Sequence, residues 1–290
     1  MEPADGFLLV DKPAGPTSHD VVAAVRRSLG ERRVGHAGTL DPAATGLLVV
    51  LAGRATRLAQ FVALLPKWYR GTVRFGCETG SDDATGEPLE RDAGWRERSD
   101  AEIAAAVAAV AARPTQVPPR VSAKKVAGER AYARARRGED VQLVAVPVTI
   151  HDMGVTVPLD RGTGDLVLDV RCGAGTYVRS IARDLGRELG SRAHLASLRR
   201  LGIGSWRVED ALPLASLERE RPALRPLDEA VRHLPTLDVG PDNAAAIGHG
   251  RKIEEAARLV GPVAVFGTGR LLAVAEWREG TYAPLVVLTS

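Results

Sequence analysis

Cysteine is nearly absent from this chain: Cys77 and Cys172 are the only two in 290 residues, and no Cys-x-x-Cys occurs. Neither a disulfide framework nor a thiolate zinc site is indicated, and a reducing compartment suits such a chain. Aromatic residues make up only 4% of the sequence, so Ala, Val and Leu must supply the apolar volume of any core. No apolar run approaches the roughly 20 residues that cross a bilayer as a helix. The N-terminus carries Glu2 and Asp5 instead of a basic leader, which argues against secretion. Together these absences predict a soluble, cytoplasmic protein without membrane contact.

Excess charge is scarce as well. The formal net charge is +3, so a surface for a polyanion has to arise from clustering and not from bulk charge. His19, His151, His194, His233 and His249 are scattered without His-x-x-x-His or His-Glu-x-x-His spacing, which leaves metal chemistry without support. A Gly-Lys-Ser/Thr phosphate loop is missing, and neither Gly-x-Ser-x-Gly nor Gly-x-Gly-x-x-Gly stands in its strand-turn-helix context. Hydrolase and dinucleotide readings are correspondingly weak.

What is present suits one large domain with a small one, or two of moderate size. Gly6 to Asp11 reads as a buried strand closed by Lys12-Pro13 and Gly15-Pro16, after which Thr17 or Ser18 caps a helix to about Leu29. The run Leu47 to Leu51 suits a central strand or a buried helix segment equally. A strand is expected over 68–77 and a polar turn from Gly80 to Glu87. Ser99 and Glu102 form a capping box for an Ala-rich helix that Pro114 stops. Leu166, Leu168, Val170 and Cys172 alternate on one strand face, and Gly173-Ala174-Gly175 then leads into a helix from about Thr176 to Leu189. Beyond about 236 a helix-like piece precedes two strand-like runs, Val263 to Phe266 and Leu271 to Trp277.

Four segments could carry chemistry. The densest is Gly35-His36-Ala37-Gly38-Thr39-Leu40-Asp41-Pro42-Ala43-Ala44-Thr45-Gly46, which sets one carboxylate in a glycine-rich loop beside Arg32 and Arg33. Taken alone, Asp41 is as easily a helix cap followed by Pro42. In Lys67-Trp68-Tyr69-Arg70, strand alternation puts Tyr69 on the face opposite Trp68 and Arg70. Between Arg120 and Gly138 seven cations face a single Glu129, a composition suited to nucleic acid. Finally, Arg179, Arg183 and Arg187 share one helical face, with Asp184 and Glu188 on the flank, as on an ion-laced surface helix.

In order along the chain, six motifs resemble the TruB family of tRNA pseudouridine synthases. They begin with Leu9-Val10-Asp11-Lys12-Pro13 and the 35–46 loop, and continue through Lys67-x-Tyr69 and Ser122-Ala123-x-Lys125-x-x-Gly128. Gly175-Thr176-Tyr177-Val178-Arg179 follows, and His194-Leu195-x-x-Leu198-Arg199-Arg200 closes the series. The resemblance implies an α+β pseudouridine synthase fold, a large mixed and mostly antiparallel sheet flanked by helices and loops. A catalytic domain over 1–232 and a small PUA-like domain over 233–290 are expected.

By the same resemblance Asp41 is the catalytic carboxylate, Tyr69 stacks on the target base and Arg179 pairs with Asp41. His36, Tyr177 and Leu198 match positions that contact the flipped uridine or its neighbours, while Lys12 and Lys125 match basic positions expected to bind RNA. The implied reaction is isomerisation of uridine 55 in the T loop of tRNA. It needs no metal, no cofactor and no guide RNA, and a monomer is expected. The competing reading is a non-catalytic tRNA-binding folding factor.

Overall fold

The computed structural model describes residues 4–120, 143–219 and 221–289, with 125, 126, 129 and 130 described only as paired backbone. Local signals place the first elements. Strand Gly6–Lys12 is followed by helix Ser18–Leu29, where Thr17 and Asp20 close a capping box and Gly30 ends the helix at φ 65°. Ser99 and Glu102 do the same for helix Asp100–Ala111. The later helix begins at Val178, with Tyr177 as its cap residue, and runs to Glu188.

The run left open between strand and helix is strand Thr45–Ala52, in the middle of the main sheet. It pairs antiparallel with Gly6–Lys12 and Val34–Ala37, and parallel with Ala193–Ile203. Burial on both faces explains its unbroken apolar character. Leu8, Val10, Leu48 and Val50 point to Val21, Val22 and Val25 of the first helix, whereas Phe7, Leu9, Leu47 and Val49 point the other way, toward Phe61 and Trp206.

From one side the sheet runs Ile150–Val157, Asp165–Cys172, Lys67–Phe75, Ala193–Ile203, Thr45–Ala52, Gly6–Lys12 and Leu212–Pro213. Pairing is antiparallel apart from the two contacts of Gly6–Lys12 with Leu212–Pro213 and of Ala193–Ile203 with Thr45–Ala52. Leu166, Leu168, Val170 and Cys172 do share the buried face, packed with Val73, Ile103, Val107, Ile181 and Leu185. Each such side chain taken from water contributes about 1.5–3 kcal/mol.

Strand Ala193–Ile203 was not legible in the sequence. Register shifts between Leu195 and Ser197 and between Arg200 and Gly202 break its period-two pattern, and Arg199-Arg200 interrupts its apolar residues.

Strands Thr236–Asp238, Pro262–Gly267, Arg270–Arg278 and Thr281–Val287 form a second sheet with helix Pro241–Gly248. The last strand carries Pro284 and lies on the edge, where a missing N–H does no harm. This unit is not loosely tethered: Ala264, Val274 and Leu288 share a core with Phe7, Leu47 and Trp206. Arg54 seals the seam, bonding the Asp5 carboxylate at 2.7 Å and the Leu288 carbonyl at 2.8 Å.

Candidate active site

Asp41 stands in the loop between strands Val34–Ala37 and Thr45–Ala52, and both of its neighbours are pinned. The Ser18 hydroxyl donates to the Leu40 carbonyl at 3.1 Å and accepts from the Leu40 N–H at 3.0 Å. The Pro42 carbonyl accepts from the Gly15 N–H at 2.9 Å and from the Lys12 ammonium at 3.1 Å. At the exit of the loop Gly46 has φ 104°, and a Cβ there would lie 2.2 Å from the Arg200 carbonyl oxygen. Only glycine permits that approach.

Lys12, expected among the RNA contacts, is fully buried. Its ammonium donates to the carbonyls of Pro13, Pro16 and Pro42, and burial pulls its pKa below the ordinary lysine value. It acts on the site by holding the Asp41 loop from beneath. The side chain of Lys125 lies outside the described residues; its backbone pairs with Arg130. His36 is half-buried on the strand before the loop, edge-on to His19 with ring centroids 5.4 Å apart. Burial, then the charges of His19 and Arg200, lower its pKa, so the imidazole is neutral near pH 7.

Arg179 completes the carboxylate's surroundings. Its Nε is 3.0 Å from Asp41 Oδ2, and the Arg179 side chain is 9% exposed against 44% for Asp41. On the other side its Nη1 donates to the Ser81 carbonyl at 3.2 Å and lies 3.6 Å from Asp83 Oδ2. Asp83 is itself oriented by the Ser81 hydroxyl and by the N–H and hydroxyl of Thr85. The Gly80 to Glu87 turn is therefore part of the site, something its polar composition did not reveal. Gln116 is a further addition: its amide closes both backbone bonds of Tyr177, at 2.9 and 3.0 Å.

These side chains enclose a cavity of about 290 Å³ lined by Asp41, Lys67, Tyr69, Tyr177, Arg179 and Leu198, among others. Tyr69 projects from strand Lys67–Phe75, as alternation required, and burial raises its phenol pKa so that the ring stays neutral. The Arg200 guanidinium lies 6.0 Å from the Tyr69 ring centroid and donates to the carbonyls of Gly38, Thr39 and Leu47. The geometry thus offers one ionisable carboxylate at the rim of an aromatic-floored cleft, with a buried guanidinium locking it in place. Asp41, Tyr69, Arg179, Tyr177 and Leu198 are brought together; His36 is not among the lining residues.

Most of the arginines along and after helix Val178–Glu188 pair with carboxylates. Arg183 pairs with Asp82, Arg187 with Glu78, Arg192 with Glu90 and Arg199 with Asp11. The helix is not an ion-laced surface helix throughout, because Arg179 and Arg183 are buried.

Residues 26–178 match the TruB family pseudouridylate synthase (N terminal domain). The tRNA pseudouridine synthase B of Thermobifida fusca (strain YX) is 48% identical over 291 residues, covering 98% of each chain. That of Streptomyces coelicolor (strain ATCC BAA-471 / A3(2) / M145) is 44% identical, covering 98% of this chain and 97% of its own. Among solved structures, a chain of a Cbf5-Nop10-Gar1 complex superposes with TM-score 0.74 at 24% identity, over 99% of this chain and 85% of that one. A chain of an H/ACA RNP bound to a substrate RNA containing 2'-deoxyuridine gives TM-score 0.73 at 22% identity, over 99% and 86%. At that identity the two structures establish the shared fold, that of pseudouridine synthases. With a family match across half the sequence and close relatives across nearly all of it, the chain belongs to the TruB family of pseudouridylate synthases.

Proposed function

We propose that this protein isomerises uridine 55 in the T loop of tRNA to pseudouridine, with Asp41 as the catalytic carboxylate and without metal, cofactor or guide RNA. The observation that carries the reading is the 3.0 Å pair between Asp41 and the buried Arg179 at the rim of the Tyr69 cleft. The names of the relatives supply tRNA as the substrate class.

The chemistry follows from the residues. The N-glycosidic bond breaks, the uracil turns, and C5 joins the sugar; no atom is gained and no electron leaves the substrate. One carboxylate at the sugar is sufficient, whereas a glycosidase ordinarily needs two. A uridine inside a folded loop must flip out to reach the cleft, at a cost of a few kcal/mol that stacking and phosphate contacts offset. Tyr69 beneath the base and the narrow cleft retain the detached uracil and keep water from the sugar. Arg179, with its fork spent on Asp41, Ser81 and Asp83, keeps the carboxylate oriented through the reaction.

Conversion of unmodified T-arm RNA by wild type but not by Asp41→Asn, with no added metal or guide RNA, is the expected result. Conversion by both would move the catalytic carboxylate elsewhere. Binding without conversion by wild type would favour the non-catalytic folding factor.

A further inference from the structure

One ionisable group in the cleft has no part in the scheme above. Lys67 opens strand Lys67–Phe75 and is 7% exposed, yet lysine heads are almost never buried without a partner that justifies it. Its ammonium donates to the Ala63 carbonyl, and Lys67 and Ala63 both line the cavity that holds Asp41 and Tyr69. No carboxylate pairs with it among the described residues. Burial, then the Arg200 charge, lowers its pKa, and its Cε lies beside Gly38, where a Cβ would meet it at 3.8 Å. Lys12 shows the contrast: three carbonyls saturate that ammonium under the loop. Lys67 has one such acceptor and an open cavity beside it.

We infer that Lys67 is a further catalytic residue, whose ammonium donates a hydrogen bond to a carbonyl oxygen of the uracil while the base is detached from the sugar. This rests on the proposed reaction. When the N1–C1′ bond breaks, its electron pair stays on the base and spreads over N1, O2 and O4. Lys67 holds that charge without giving up its proton. When C5 joins C1′, the pair forming the new bond comes from the base, the C5 proton leaves and N1 takes one up, so the ring is neutral again and Lys67 is unchanged. A fixed donor in a water-poor cleft acts most strongly where charge develops, which is the condition for lowering a barrier instead of merely tightening binding.

The test compares wild type, Lys67→Met and Lys67→Arg on T-arm RNA carrying uridine, 2-thiouridine or 4-thiouridine at the target. Lys67→Met is expected to lose about 10²–10³-fold in kcat with KM and RNA affinity kept, as for removal of one oxyanion donor. Sulfur accepts hydrogen bonds poorly, so the Met penalty should shrink on one of the two thio substrates and persist on the other. Wild-type kcat should fall above pH about 8, where the amine deprotonates, and Lys67→Arg should lack that alkaline limb. Lys67→Met turning over within threefold of wild type would overturn the inference, as would a penalty equal on all three substrates. If Lys67→Met does not fold, Lys67→Gln takes its place, and a kcat penalty equal on all three substrates overturns the inference. Failure of wild type itself to convert uridine would instead strike the reaction proposed above.

Discussion

Ser18 and Leu40 form a reciprocal clasp: one hydroxyl both donates to the Leu40 carbonyl and accepts from its N–H. Ser18 opens the first helix, and Leu40 precedes Asp41. The position of the Asp41 carboxylate is thus tied to a helix terminus 22 residues upstream of Leu40.

Ser18→Ala would strand both backbone groups of Leu40 in a buried place, at about 1–3 kcal/mol each. The expected outcome is a lowered Tm and a kcat reduced by up to about 10²-fold through misplacement of Asp41. RNA affinity should be kept. A variant with wild-type kcat would show that Lys12 and Gly15 position the loop unaided.

Arg179→Lys keeps a cation but loses the fork that reaches Asp41, Ser81 and Asp83 together. Single-turnover conversion should fall by about 10²-fold, and Asp83→Asn, which leaves the Asp41 contact in place, should cost less. Equal losses for the two variants would mean that Asp83 orients Arg179 as strongly as Asp41 does.

Gly46→Ala should destabilise the whole domain, since the new Cβ meets the Arg200 carbonyl at 2.2 Å with φ at 104°. A cost of at least about 3 kcal/mol is expected, well above an ordinary surface substitution. Thermal unfolding would measure it, and an unchanged Tm would mean that strands Thr45–Ala52 and Ala193–Ile203 do not approach as closely as described.

Lys67 also has a stability signature. Burial, reinforced by Arg200, lowers its pKa from 10.5 to about 8. Between those values the unfolded chain holds the proton and the folded protein does not, so the Lys67 contribution to stability rises as pH increases from about 8 toward 10.5. This contribution is on the order of 3 kcal/mol, and Lys67→Met should remove it, so the difference in stability between wild type and variant changes by that amount. Urea unfolding at pH 7 and pH 10 would read it. Activity and stability would then move in opposite directions across one pH window, a conflict expected of a buried charge kept for function.

Much of this molecule can be read from its residues. The capping box at Ser99 fixes a helix start because its partner lies three residues away, and the choice of Thr17 over Ser18 for the first helix came from the structure. Alternation puts Leu166, Leu168 and Val170 on one face, and Tyr69 opposite Trp68 and Arg70, because a strand has a period of two. Ordered motifs single out Asp41, Tyr69 and Arg179 for the same cleft. What spacing could not supply are contacts between distant segments. The run at 47–51 is a strand with apolar cover on both of its faces, and Ala193–Ile203 is one that pairs along its length with Lys67–Phe75, its Arg200 bonded to the Leu47 and Gly38 carbonyls. Composition showed the turn from Gly80 to Glu87 as polar; the fold set its Asp83 against Arg179. Spacing read Arg179, Arg183 and Arg187 as part of an ion-laced surface helix, while the tertiary structure buried Arg179 and Arg183 against carboxylates far away in the chain. A local rule sees one element's own period, but the partner of a buried charge is decided by which strands and helices pack together.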